Sequence, residues 1–207
     1  MNIPTKITVS RIVLVGVMLI GLFVLEFIPN LSVPVLGNSG INLVYLICCI
    51  VFVIAALTDK VDGDLARKWH QVTDLGKFLD PVADKLLVDS MLIYLLIPHF
   101  GQSLVIPVYC TILMVLRDLV VDSLRFIAAG KGKVLAANIF GKIKTVCQMV
   151  AIPVILLNGW PFIYFDASWG YGRIALILIY LATIASVLSG VIYVVQNLNV
   201  LKEDKHD

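Results

Sequence analysis

Apolar runs of membrane-spanning length follow one another along almost the whole chain. A helix needs about 20 mostly apolar residues to cross the hydrocarbon layer of a bilayer. Six stretches answer that description: residues 8–28, 40–58, 80–98, 104–127, 136–157 and 172–197. Turn-forming sequences separate them. Pro29-Asn30 and Gly37-Asn38-Ser39-Gly40 lie in the first gap, Pro98-His99-Phe100-Gly101 in the third, and Asn158-Gly159-Trp160-Pro161 opens the fifth. With 60% hydrophobic and 14% charged residues, the chain carries more apolar surface than a soluble core of this size can hide. The spacing therefore predicts an all-α integral membrane protein of six transmembrane helices, forming one membrane domain over 1–207.

Charge placement sets the expected orientation. Lys6 and Arg11 lie near the N-terminus, and Lys60, Arg67, Lys68, Lys77 and Lys85 in or beside the second gap. Lys131, Lys133, Lys142 and Lys144 flank the fourth, and Lys202 and Lys205 close the chain. The first and third gaps hold no Lys or Arg, and the fifth has Arg173 at its end. By the positive-inside rule both termini and the 59–85 and 128–144 segments face the cytoplasm, in a multi-pass protein of the cell membrane. Trp160, Tyr164, Trp169 and Tyr171 fit an outer aromatic belt, and Trp69 an inner one. The run from Ile12 to Ile28 has a basic start but no small-residue cleavage site after it, and reads as a helix that stays. Residues 1–11 allow two readings: a short interfacial helix, or the plain start of the first span. Cys48, Cys49, Cys110 and Cys147 read as small apolar helix residues. Nothing in the charge pattern calls for a nucleic acid.

Half of the fourteen acidic residues fall between Asp59 and Asp89. Asp59 and Asp62 are three apart and Asp80 and Asp84 four apart, so each pair shares one face of a helix. The pairs sit at the ends of consecutive expected spans, one leaving the membrane and one entering it. Antiparallel neighbours would bring four carboxylates together. Four carboxylates repel unless cations lie between them, and hard oxygen donors select Mg²⁺ or Mn²⁺. Two bridged cations would suit displacement at phosphorus. The competing reading is a solvated loop in which these acids pair with Arg67, Lys68, Lys77 and Lys85. It accounts for Asp64 and Asp74 better than for Asp80 and Asp84, because carboxylates at a membrane are costly. Asp80 before Pro81 also reads as a helix N-cap. Gly63 would let a phosphate approach the backbone, Gly76 would permit the turn between the helices, and Arg67 offers a phosphate fork. His70, His99 and His206 are scattered and suggest no catalysis.

These residues fill the pattern D-x2-D-G-x2-A-R-x8-G-x3-D-x3-D at Asp59, Asp62, Gly63, Ala66, Arg67, Gly76, Asp80 and Asp84 without a gap. In this the chain resembles the CDP-alcohol phosphotransferase family. The stretches NIPTKITVSR, VTDLGKFLDPVADKLL, LRDLVVDSLR and GKIKTVCQM resemble its bacterial branch that uses glycerol 3-phosphate. That branch usually has Arg-Glu at Arg117-Asp118, and often Asn at Thr5. The resemblance implies that Asp59, Asp62, Asp80 and Asp84 bind metal, and that Asp84 is the proton acceptor. It implies CDP-diacylglycerol contacts at Ile7, Thr8, Gly63, Ala66, Arg67 and Thr73, and a homodimer in the lipid bilayer. The reaction implied moves a phosphatidyl group to sn-glycerol 3-phosphate and releases CMP.

The acceptor's phosphate needs a second basic site. Arg117, Arg125, Lys142 and Lys144 are its candidates, with snorkelling to anionic lipid as the rival reading. Asp118 and Asp122 are expected in structural ion pairs between helices. Inositol phosphate, serine and phosphatidylglycerol are alternative acceptors. A divalent-cation transporter would more often carry its acids at mid-membrane in broken helices, whereas a non-catalytic lipid binder would not need an intact aspartate set.

Overall fold

In the computed structural model the described residues are 2–29, 31–36, 40–68, 74–101, 104–131, 139–164 and 173–198. Side chains at 3, 4, 60–68, 74, 75, 77, 78, 163 and 173 lie outside the description. Among the described residues six α-helices carry the fold: α1 Ile3–Glu26, α2 Leu43–Lys68, α3 Asp74–Tyr94, α4 Val108–Gly130, α5 Ile139–Leu156 and α6 Arg173–Gln196. A two-residue ladder lies between α1 and α2 in the chain. Val35–Leu36 pairs antiparallel with Ile41–Asn42, in the register Val35↔Asn42 and Leu36↔Ile41. Among the described residues, three helical stretches are long and apolar enough to cross a membrane: Thr5–Glu26, Ile139–Leu156 and Ile174–Gln196. The apolar part of α2, Leu43–Asp59, is shorter. Helix α3 carries acidic residues through its first half, and α4 holds Arg117, Asp118, Asp122 and Arg125.

Cα proximity divides the chain into two compact units, Met1–Val105 with Ile152–Ala175 and Ile106–Ala151 with Leu176–Asp207. In the first unit α1 packs on both α2 and α3. Its start is unbroken from Ile3, with a proline in the first turn where no N–H is required; no separate interfacial helix precedes it among the described residues. The buried seam of α1 runs Thr5, Thr8, Arg11, Val15, Met18 and Leu22, the three-and-four spacing of one helix face. Its first half is polar and its second apolar. The opposite face exposes Val13, Val17, Ile20 and Phe23. An apolar outside around a partly polar inside is the arrangement expected where lipid replaces water.

The ladder starts α2. The Asn42 side-chain oxygen accepts the Val44 N–H at 2.8 Å, while its amide donates to the Phe100 carbonyl at 2.8 Å. Just before it, Gly40 has φ +67°, a conformation that costs glycine nothing, and its carbonyl accepts from Asn158 at 3.2 Å. Helix α3 begins at Asp74, six residues ahead of the expected span. Gly76 therefore lies buried inside the helix rather than in a turn between helices. Asp80 is likewise an interior residue, not an N-cap. Pro81 inside α3 removes the N–H that residue 77's carbonyl would otherwise receive. The helix thus starts further back than apolar length alone indicates.

In the second unit Val121, Leu124 and Ala128 of α4 form a buried cluster with Tyr193 of α6. Tyr109 and Tyr180 stack with ring centres 6.3 Å apart, and their hydroxyls lie 2.8 Å from each other.

Candidate active site

The acidic segment is divided between two helices, as its spacing required. Helix α2 runs without interruption past Asp59 and Asp62 to Lys68, so three-residue spacing puts those two positions on one face. Asp80 and Asp84 stand four apart on α3, both half-buried. The side chains of Asp62, Gly63, Ala66 and Arg67 lie outside the described residues, and Thr73 does so altogether.

Helix α1 holds one aspartate of each pair. The Thr8 hydroxyl donates to Asp80 Oδ1 at 2.9 Å. One turn further on, Arg11 Nη1 forms an ion pair with Asp59 Oδ1. Thr8 is buried and Ile7 half-buried. The Arg11 side chain is 1% exposed, whereas that of Asp59 is 39% exposed. Asp59 thus faces solvent on one side and a buried cation on the other. By charge placement alone Arg11 reads as one more cytoplasmic cation. The available signal was its three-residue spacing from Thr8, which marks one helix face but not what the face meets.

Two carboxylates are therefore described in contact with α1, and Asp84 and Asp80 share one face of α3. Among the described residues no three carboxylate, imidazole or thiol groups gather as a metal site. The fourfold aspartate set includes Asp62, whose side chain is outside them. The donors present are oxygens of Asp and Thr, the hard type that suits Mg²⁺ or Mn²⁺. The four thiols are free. His99 is paired with Glu26 at 3.1 Å and stacked on Tyr94.

The candidate acceptor residues lie in the second unit and behave differently from one another. Asp118 of α4 takes Arg117 Nη1 on one oxygen at 2.9 Å and Lys144 Nζ of α5 on the other. Arg117 Nη2 also donates to Ser189 Oγ of α6. Asp118, Lys144 and Ser189 are buried. The structural ion pair expected for Asp118 is present, and it ties three helices together. Gly190 makes room for it: a Cβ there would lie 2.7 Å from Arg117 Cγ. Arg125 takes another course, donating from Nε to the Tyr193 hydroxyl at 3.1 Å with its guanidinium 5.4 Å above that ring. Arg125 and Lys142 are exposed. Arg117 and Lys144 are thus brought together around Asp118, while Arg125 of α4 packs against Tyr193 of α6.

A helical chain with apolar outer faces and this signature split over two adjoining helices defines a class of membrane transferase. Residues 1–196 match the family model for CDP-alcohol phosphatidyltransferase, and the chain belongs to that family. Within it, the chain is 39% identical over 201 residues to a protein of Bacillus subtilis (strain 168), covering 97% of each. That protein is named CDP-diacylglycerol–glycerol-3-phosphate 3-phosphatidyltransferase. Proteins of the same name from Mycoplasma genitalium and Sodalis glossinidius are each 38% identical. The matches cover 86% of this chain and 75% of the Mycoplasma protein, and 75% and 77% respectively for the Sodalis pair.

Proposed function

We propose that this chain transfers the phosphatidyl group of CDP-diacylglycerol to sn-glycerol 3-phosphate, giving phosphatidylglycerophosphate and CMP in phospholipid biosynthesis. The observation that carries the reading is the gap-free aspartate signature, borne on α2 and α3. The names of its relatives across bacteria agree with it.

The donor's acyl chains lie in the bilayer and its head group meets Ile7, Thr8, Gly63, Ala66, Arg67 and Thr73. Arg67 pairs with the pyrophosphate, and Gly63 leaves the backbone bare beside it. Asp84 takes the proton from the acceptor hydroxyl, whose oxygen then attacks the phosphorus carrying diacylglycerol. The bond from that phosphorus to CMP breaks. Holding both substrates in line does most of the work in such transfers. Asp59, Asp62, Asp80 and Asp84 would hold Mg²⁺ or Mn²⁺, two ions in all. Bound there, the ions would neutralise charge on the pyrophosphate.

For the acceptor's phosphate, Lys142 is exposed and Arg125 is exposed with its guanidinium over Tyr193, while Arg117 and Lys144 already share Asp118. Arg117 and Lys144 outnumber Asp118 by one positive charge, which favours an anion nearby. The Lys and Arg distribution supports six spans, cytoplasmic termini and a cytosolic site in the cell membrane. A homodimer follows the family habit.

The test is CMP release by purified protein, with one labelled donor lipid and a panel of acceptor alcohols. Glycerol 3-phosphate supports release, and Asp84→Asn lowers it about 10²–10⁴-fold. Complete chelation of divalent cations abolishes it. Preference for inositol phosphate, serine or phosphatidylglycerol would overturn the acceptor, and near-normal Asp84→Asn activity the base.

A further inference from the structure

The least expected contact in the first unit is the one between Arg11 and Asp59. A guanidinium buried on a membrane helix is costly unless it is well paired. Yet Arg11, its side chain 1% exposed, meets its carboxylate through Nη1 alone. Its Nε and Nη2 are buried and have no hydrogen-bond partner among the described residues. A structural arginine normally uses its fork on two acceptors at once. The contact also falls on an aspartate of the signature, while its neighbour on the same α1 face, Thr8, holds another. Arg11 thus occupies Asp59 with a positive charge that cannot withdraw into water.

We propose that Arg11 is the resident counter-cation of the aspartate site, a positioning residue that holds Asp59 and limits how tightly the site takes a divalent cation. The inference rests on the reading of Asp59 as a cation ligand. A guanidinium and a divalent cation on one carboxylate repel each other, and in a partly buried site that repulsion is large. Asp59 is 39% exposed, so solvent screens much of it. A site tuned in this way binds its cation loosely in the absence of substrate. It then binds more firmly when the donor's phosphates add negative charge.

The experiment uses the full chain in lipid nanodiscs without substrates, titrated with Mn²⁺ and read by electron paramagnetic resonance of the free ion. Arg11→Gln tightens Mn²⁺ binding about tenfold, a conservative share of the like-charge repulsion. Arg11→Lys, which keeps the charge, stays within about threefold of wild type. Asp59→Asn binds more weakly than wild type. If neither wild type nor Arg11→Gln binds Mn²⁺, the cation reading of the aspartates fails and this proposal with it. If wild type binds and Asp59→Asn weakens binding, but Arg11→Gln binds equally or less tightly, the proposal alone is overturned. A second readout covers failure of Arg11→Gln to fold. In wild type labelled with ¹⁵N-arginine, the Arg11 Nε–H resonance, assigned by its loss in Arg11→Lys, moves on Mg²⁺ addition. A resonance that does not move overturns the proposal.

Discussion

Asp118→Asn removes the negative charge that two buried cations share. The Asp118 side chain is 10% exposed, and those of Arg117 and Lys144 are 14% and 7% exposed. Removing one partner of a buried ion pair costs about 3–5 kcal/mol, because the other charge is left uncompensated in a medium that solvates it poorly. Asparagine keeps one oxygen acceptor, and Arg117 keeps its bond to Ser189, so the lower end, about 3 kcal/mol, applies. For a chain of this length that is a fall in melting temperature of roughly 6–12 °C. Cys48, Cys49 and Cys110 are buried free thiols, so a thiol-reactive dye reports unfolding of protein in a fixed detergent. The double variant Asp118→Asn/Lys144→Gln also loses one of the stranded cations, and regains part of the loss. A melting temperature for Asp118→Asn within about 2 °C of wild type, under 1 kcal/mol on the same scale, would refute the reasoning. So would a double variant less stable than the single.

Two further outcomes follow from contacts on the other helices. Gly190→Ala places a Cβ 2.7 Å from Arg117 Cγ, forcing that side chain off Ser189 and Asp118; the same dye assay reads a loss of about 1–3 kcal/mol. Gly21→Ala in α1, where nothing lies within 4 Å of an added Cβ, is the matched control and is neutral or slightly stabilising. Thr8→Val deletes the 2.9 Å bond to Asp80 at constant size. The loss of about 1 kcal/mol of orienting interaction lowers kcat/KM for CMP release about fivefold, with the melting temperature lower by no more than about 2–4 °C. Full activity in that variant would show that Asp80 needs no help from α1.

Helix positions were largely legible because they are local. Spans expected at 136–157 and 172–197 correspond to α5 at Ile139–Leu156 and α6 at Arg173–Gln196. Apolar length is a poorer guide to where a helix ends. An apolar run that starts near Pro81 allows a cap at Asp80 and a turn at Gly76, but α3 begins at Asp74. A helix face that meets other protein does not have to be apolar, so hydropathy understates such a helix. Three-and-four spacing of the aspartates survived intact, being a property of the helix itself. The turn at Gly40 is legible from its own residues, but the contacts of Asn42 with Phe100 and of Gly40 with Asn158 are not, because those partners are far along the chain.

The sequence by itself determined the helical, lipid-suited character of the chain, the grouping of Asp59 with Asp62 and Asp80 with Asp84, and the family they spell. Each rests on periodicity or on fixed spacing within a few turns. Tertiary structure alone decided which side chains confront those aspartates. Arg11 reaches Asp59 across 48 residues, and Thr8 reaches Asp80 across 72. Arg117 meets Ser189 across 72. Such meetings depend on how each helix is rotated about its axis and which neighbour it packs on. Every polar residue on α1 is compatible with the same apolar pattern, so only packing selects Arg11 to face a carboxylate.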